Sequence, residues 1–151
     1  MNPIVESRGA ATARSLDLAR VLLVESDVAS RLTLQTLLEA GGYSVDVAAS
    51  AAEAVGKLDE GAYELVLTES QMESDAGRGV LAYARRKDYK PATALIHKQR
   101  DGSARGDRRK SSRRMLVEAE DVTTFLSKVA GLISLRATRR SERALRQSVN
   151  N

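Results

Sequence analysis

The fold of this chain is decided by residues 64–72, Glu-Leu-Val-Leu-Thr-Glu-Ser-Gln-Met. The run from Tyr63 to Thr68 is short and mostly apolar, which is typical of a strand buried on both faces of a parallel sheet, and it predicts a strand at 64–68. Glu69 follows it, so the sequence predicts a carboxylate at the carboxyl end of a buried strand. Ligands of open α/β sheets bind beyond that end, and Glu69 is therefore the first candidate for a functional residue.

Strands and helices alternate on both sides of this stretch. Apolar runs predict four further strands, at 20–24, 43–48, 92–97 and 115–117. Apolar residues at helical spacing predict helices at 31–40, 50–60, 75–86 and 121–135. Asp27 is a predicted N-cap, and Ser50 with Glu53 matches a capping box. The alternation predicts an α/β fold with a parallel sheet.

The composition fits one domain with tails. The chain has 151 residues, of which 42% are hydrophobic, and it contains no cysteine, which excludes disulfides and thiolate metal sites. No stretch approaches the ~20 apolar residues of a membrane span, and we expect a cytoplasmic protein. We predict a disordered leader at 1–19, a domain at 20–135, and a basic helical extension or tail at 136–151.

Residues from about 20 to 133 resemble the receiver domain of bacterial response regulators. The resemblance rests on Val21-Leu22-Leu23-Val24-Glu25, Arg31, Gly42-Tyr43, Ala54 and the stretch from Leu65 to Met72 with Gly77, at matching spacing. It implies a flavodoxin-like (CheY-like), doubly wound sheet of five parallel strands in the order 2-1-3-4-5. It also implies that Glu69 stands where the family has a phosphate-accepting aspartate.

The family's phosphoryl chemistry uses five parts, and the resemblance implies that each is altered here. Of two acidic Mg²⁺ ligands after strand one, Glu25 is present, Ser26 stands at the second position, and Asp27 would begin the helix. The acceptor is Glu69, whose carboxylate reaches one C–C bond too far for in-line transfer. Ile96 stands at the position of the sensor hydroxyl, and Met115 at that of the switch aromatic. Glu118 stands at the position of the lysine, and Ala119 at that of the proline that follows it.

These changes predict a pseudo-receiver. Mg²⁺ demands near-ideal octahedral geometry, so we expect weak or absent binding of this ion, and we predict no metal, cofactor or catalytic residue. The sign reversal at Glu118 removes the charge that would neutralise a phosphoryl group. We expect a non-enzymatic, phosphorylation-independent regulatory module. The alternatives are a receiver phosphorylated on Glu69 or Asp75, a nucleic-acid-binding accessory protein, and an α/β domain unrelated to receivers.

The altered pocket brings carboxylates together. Glu25, Glu69 and Glu118 are expected to converge, and like charges at that distance repel. One hypothesis is that Glu69 pairs with a base just beyond strand four, His97 or Lys98. The other is that Glu69 points into water.

Charge is divided unevenly along the chain. Residues 1–79 hold 6 basic and 13 acidic side chains, whereas residues 80–151 hold 18 basic and 7 acidic ones. The segment 98–114 has no large apolar residue, so the helix that receivers have there is predicted to be lost or disordered. We expect it to dock an acidic protein, or less favourably nucleic acid or anionic lipid. The predicted docking residues are Arg100, Arg105, Arg108, Arg109, Lys110, Arg113 and Arg114.

The tail after residue 135 continues the basic character. It contains Leu145 and Val149, which with Leu135 are too sparse for a coiled-coil seam. It could lengthen the last helix and support a homodimer through that helix.

Overall fold

The structure, a computed structural model, describes residues 18–69, 76–98, 114–117 and 122–150, without the side chains of residues 97, 98, 114–117 and 150. Nearly all of the predicted leader at 1–19 lies outside the described residues. The same is true of most of the segment 98–114, on which the prediction of a lost or disordered helix depends.

Five parallel strands form one sheet in the order β2-β1-β3-β4-β5, which confirms the predicted fold class. The strands are β1 (Arg20–Val24), β2 (Ser44–Ala48), β3 (Leu65–Glu69), β4 (Ala92–Lys98) and β5 (Arg114–Val117). The strand β3 is buried along its whole length, as its continuous apolar run requires. Glu69 is the last residue of β3, one position further along the strand than predicted.

Four helices connect or follow the strands: α1 (Val28–Ala40), α2 (Ala51–Glu60), α3 (Ala76–Arg85) and α4 (Val122–Asn150). The predicted caps are confirmed, since Asp27 accepts from the Ser30 amide and Ser50 accepts from the Glu53 amide. The helix α4 continues well past residue 135. Its extension from 136 to 150 contains five arginines and two alanines, residue types that favour a helix without needing a buried face.

The sheet separates two aliphatic cores, because side chains alternate between the faces of each strand. On one face, α1 and α4 pack over Val21, Leu23, Leu65, Leu67, Ala94 and Ile96, with Phe125 and Val129 from α4. On the other face, α2 and α3 pack over Leu22, Val24, Ala48 and Val66. None of the helices in the described parts of the chain is long and apolar enough to cross a membrane.

Candidate functional site

Two carboxylates lie side by side at the carboxyl edge of the sheet. Glu69 ends β3, and Glu25 directly follows β1. The strands pair in parallel with Val24 beside Thr68, which places the two glutamates at adjacent positions on the same face. Glu25 is fully buried, and Glu69 is 4% exposed. The hypothesis that Glu69 points into water is therefore wrong.

The loop after β1 binds the Glu69 carboxylate. The backbone N–H of Ser26 donates to Glu69 Oε1 at 3.0 Å, and the Ser26 hydroxyl donates to the same oxygen. A carboxylate accepting two such bonds can be buried without a cation beside it, because hydrogen bonds replace part of its hydration. Ser26 and Glu69, at which the resemblance implied two replaced family residues, are thus hydrogen-bonded to each other.

The rest of the β1–α1 loop is also occupied by internal contacts. The Asp27 amide donates to Glu25 Oε2 at 3.1 Å, and the guanidinium of Arg31 donates to the Glu25 carbonyl at 3.0 Å. The Asp27 carboxylate accepts from Ser30 at 2.8 Å. It caps α1. The predicted role of Asp27 as a helix start rather than a pocket ligand agrees with this contact.

The helix α3 approaches the end of β3 so closely that its first turn requires glycine. A Cβ on Gly77 would lie 2.7 Å from Thr68 Oγ1 and 2.8 Å from the Glu69 carbonyl oxygen. Thr68 is itself fully buried, and its hydroxyl donates to the Glu69 carbonyl at 3.2 Å. Close packing therefore fixes the backbone of Glu69 on the side opposite its carboxylate.

On the other flank of Glu69, β4 presents an aliphatic residue. Ile96 is the register partner of Glu69 and is fully buried in the core beneath α4. Met115 of β5 is in turn the register partner of Ile96. The side chains of His97 and Lys98 lie outside the described residues, as does Glu118, so the expected pairing of Glu69 with a base stays a prediction.

Two carboxylate oxygens at this edge, Glu69 Oε1 and Glu25 Oε2, already accept hydrogen bonds and are therefore poor ligands for Mg²⁺. Octahedral Mg²⁺ needs oxygen ligands with lone pairs directed at the ion. Here Glu69 Oε1 faces two donors from Ser26, and Glu25 Oε2 faces the Asp27 amide. No group of three or more His, Cys, Asp or Glu side chains suited to a metal occurs among the residues that the structure describes.

A second polar region, which the sequence analysis missed, lies at the opposite, amino-terminal edge of the sheet. Arg136 of α4 donates from Nε to the Lys90 carbonyl at 3.0 Å and from a terminal nitrogen to the Tyr89 carbonyl at 2.7 Å. Burial, together with the nearby charges of Arg140 and Arg143, lowers the pKa of Arg136. In the sequence, this region could have been recognised from the helical spacing of Arg136, Arg140 and Arg143.

Comparison with known proteins agrees with this architecture. The sequence profile of the family described as "Response regulator receiver domain" matches residues 21–128, which is more than half of the chain. The chain belongs to the response regulator receiver domain family. The resemblance noted in the sequence is thereby confirmed. No curated protein matches the chain in sequence.

Solved receiver structures resemble the chain over most of its length. The chemotaxis response regulator CheY4 of Vibrio cholerae is 19% identical, with a TM-score of 0.60, and the match covers 76% of this chain and 98% of that one. A CheY-like receiver from Methanospirillum hungatei is 18% identical, with a TM-score of 0.65 and coverages of 82% and 99%. TrrA from Thermotoga maritima, solved in complex with Mg(2+)-BeF, is 25% identical, with a TM-score of 0.59 and coverages of 76% and 99%.

Proposed function

We propose that this receiver domain is a phosphorylation-independent module that regulates signal transduction through protein contacts. The observation that carries the proposal is the pair of hydrogen bonds from Ser26 to the Glu69 carboxylate. They occupy the carboxylate that would have to accept a phosphoryl group.

The two replacements at positions 26 and 69 support each other physically. An acidic residue at 26 would repel the buried acceptor unless a cation lay between them. A serine instead donates to it, and the extra methylene of glutamate extends the carboxylate toward the β1–α1 loop. Hydrogen bonds to a charged group contribute about 1.5–3 kcal/mol, and the lower end applies here because Ser26 is exposed. These contacts support the proposal of a pocket that needs neither metal nor phosphate to be stable.

The neighbouring residue in β4 supports the same proposal. A phosphoryl group on β3 needs donors close to its oxygens. The register partner of Glu69 is the buried, aliphatic Ile96, which offers none. The Thermotoga maritima receiver was solved with Mg(2+)-BeF. We expect this chain, unlike the Thermotoga maritima receiver, to form no complex with Mg²⁺ and beryllofluoride.

The output surface in the proposal is the basic segment 98–114. It holds eight basic and two acidic side chains, and a charge of that density attracts acidic protein surfaces over about a Debye length. The lack of cysteine in the chain is consistent with the cytoplasmic location that the proposal assumes.

Phosphorylation of the full chain tests the first part of the proposal. The protein is incubated with Mg²⁺ and acetyl phosphate, and its intact mass is measured, with the Thermotoga maritima receiver as positive control. We expect no phosphorylated species. A mass gain of one phosphoryl group that disappears in Glu69→Gln would contradict the proposal.

A pull-down with matched variants tests the second part. In one variant four basic residues of the segment become serine: Arg105, Arg108, Arg109 and Lys110. In the control four exposed basic residues outside the segment become serine: Arg78, Arg86, Lys128 and Arg146. We expect the first variant to lose the partners of the intact protein and the control to keep them. Retention of the same partners by the first variant would exclude the segment as the docking surface.

A further inference from the structure

A groove of about 390 Å³ lies where α4 passes the beginning of β4. Of its described lining residues, five are basic, four are apolar and the remaining one is Thr93. Ala92 at the start of β4 is four residues from Ile96, which pairs with Glu69. At about 3.3 Å per residue the groove is roughly 13 Å along the strand from the candidate site. It lies at the other edge of the sheet.

The walls of the groove are held in place by hydrogen bonds. Arg136 binds the carbonyls of Tyr89 and Lys90, and so attaches α4 to the turn before β4. Lys90 has a φ of 44°, a conformation that side chains disfavour, so this turn needs such support. On the wall opposite α4, Arg85 Nε donates to Thr93 Oγ1 at 3.1 Å. The groove is thus a built feature of the fold.

The cations of the groove follow the helical repeat. Arg136, Arg139 and Arg143 are three and four residues apart, which places them along one side of α4. Lys90 adds a fourth charge from the turn opposite. Besides burial, the charges of Arg140 and Arg143 lower the pKa of Arg136. The carboxylate of Glu64 offsets only part of this effect, so an anionic ligand would relieve the remaining repulsion.

Apolar side chains form the floor between these cations. They are Pro91, Ala92, Leu132 and Leu135. Leu135 is 47% exposed despite its size. A nucleic acid backbone would use the cations but not an aliphatic floor, and bases would stack on aromatic rings. None of the described residues that line the groove is aromatic.

The tail of a second copy of this chain would be a poor occupant, because it carries the same positive charges. The homodimer expected through the last helix stays a prediction. We propose that the groove between α4 and the start of β4 binds an acidic segment of a partner protein that carries aliphatic anchor residues. This interaction goes beyond the proposed output segment 98–114 and does not depend on it.

Fluorescence anisotropy with three labelled probes tests the proposal on the full chain. The first probe is an acidic peptide with leucines three and four residues apart. The second has serine in place of leucine, and the third is a single-stranded oligonucleotide of the same charge. We expect the leucine peptide to bind most tightly at physiological salt. Amide shifts at Thr93 and Leu135 in NMR spectra should locate the binding in the groove.

Charge-reversal variants separate the groove from general attraction. We expect Arg139→Glu with Arg143→Glu to weaken binding of the leucine peptide about tenfold or more. The matched control, Lys128→Glu with Arg146→Glu, changes net charge equally on exposed positions of α4 outside the groove lining. It should change affinity less than about twofold. Equal losses in both variants, or tighter binding of the oligonucleotide than of the leucine peptide, would overturn the proposal.

Discussion

The two edges of the sheet carry charged side chains of opposite sign. At the carboxyl edge, the buried carboxylates of Glu25 and Glu69 accept hydrogen bonds from the chain's own loop. At the amino-terminal edge, cations of α4 stand over an apolar floor that is open to solvent. The hydrogen bonds at the carboxyl edge replace part of the hydration of Glu69 Oε1 and Glu25 Oε2, whereas the clustered cations at the other edge would gain from an acidic ligand. This contrast supports the proposal that the groove at the amino-terminal edge binds an acidic partner segment.

The largest expected effect breaks the packing at the carboxyl edge. Gly77→Ala places a methyl group within 3 Å of Thr68 Oγ1 and of the Glu69 carbonyl, so α3 must shift away from β3. We expect the free energy of unfolding to fall by about 2–3 kcal/mol in urea denaturation. The control is Gly79→Ala, which meets no atom within 4 Å and should gain about 0.5–1 kcal/mol from helix propensity. Equal stability of the two variants would contradict the close packing.

A smaller effect is expected when the serine at this edge becomes acidic. Ser26→Asp replaces a donor to Glu69 with a second negative charge, and we expect a loss of about 1–2 kcal/mol in chemical denaturation. The matched control is Ala29→Asp, an exposed position in the first turn of α1. There the helix dipole favours negative charge, so stability should be unchanged or slightly higher. If Ser26→Asp were neutral, the hydrogen bonds to Glu69 would not stabilise the pocket.

The smallest effect concerns the attachment of the groove wall. Arg136→Met keeps the aliphatic stem but removes both bonds to the turn before β4, and we expect a loss of about 1 kcal/mol. It should also increase hydrogen exchange at the Tyr89 and Lys90 amides. Arg140→Met, on an exposed residue one turn further along α4, is the control and should change neither. Unchanged exchange in Arg136→Met would show that the wall is not held by this residue.

The sequence predicted the architecture because each element carries its own local pattern. The mostly apolar run from Tyr63 to Thr68 indicated a buried strand, and the capping residues Asp27 and Ser50 indicated helix starts. The position of Glu69 beside the β1–α1 loop followed from parallel pairing. These features depend on neighbours in sequence or on a regular register, so they could be anticipated.

The partners of the key side chains could not be predicted in the same way. The sequence suggested His97 or Lys98 as the partner of Glu69, because the charge of a side chain can be read from a sequence. The donors seen in the structure are the amide and hydroxyl of Ser26. A backbone amide has no signature in a sequence, and its direction depends on how β1 ends. The groove was missed because the tail arginines were treated as a separate extension. They line it only because α4 continues past the sheet.

The central claim is that the carboxyl-edge pocket has no phosphoryl-dependent switch. Its most direct test is an NMR titration of the full chain with Mg²⁺ and beryllofluoride. We expect the amide resonances of Ser26, Asp27 and Glu69 to stay in place, as should those of β4 and β5. Saturable shifts that begin at these three amides and extend to β4 would contradict the account and show that the pocket still binds a phosphoryl group.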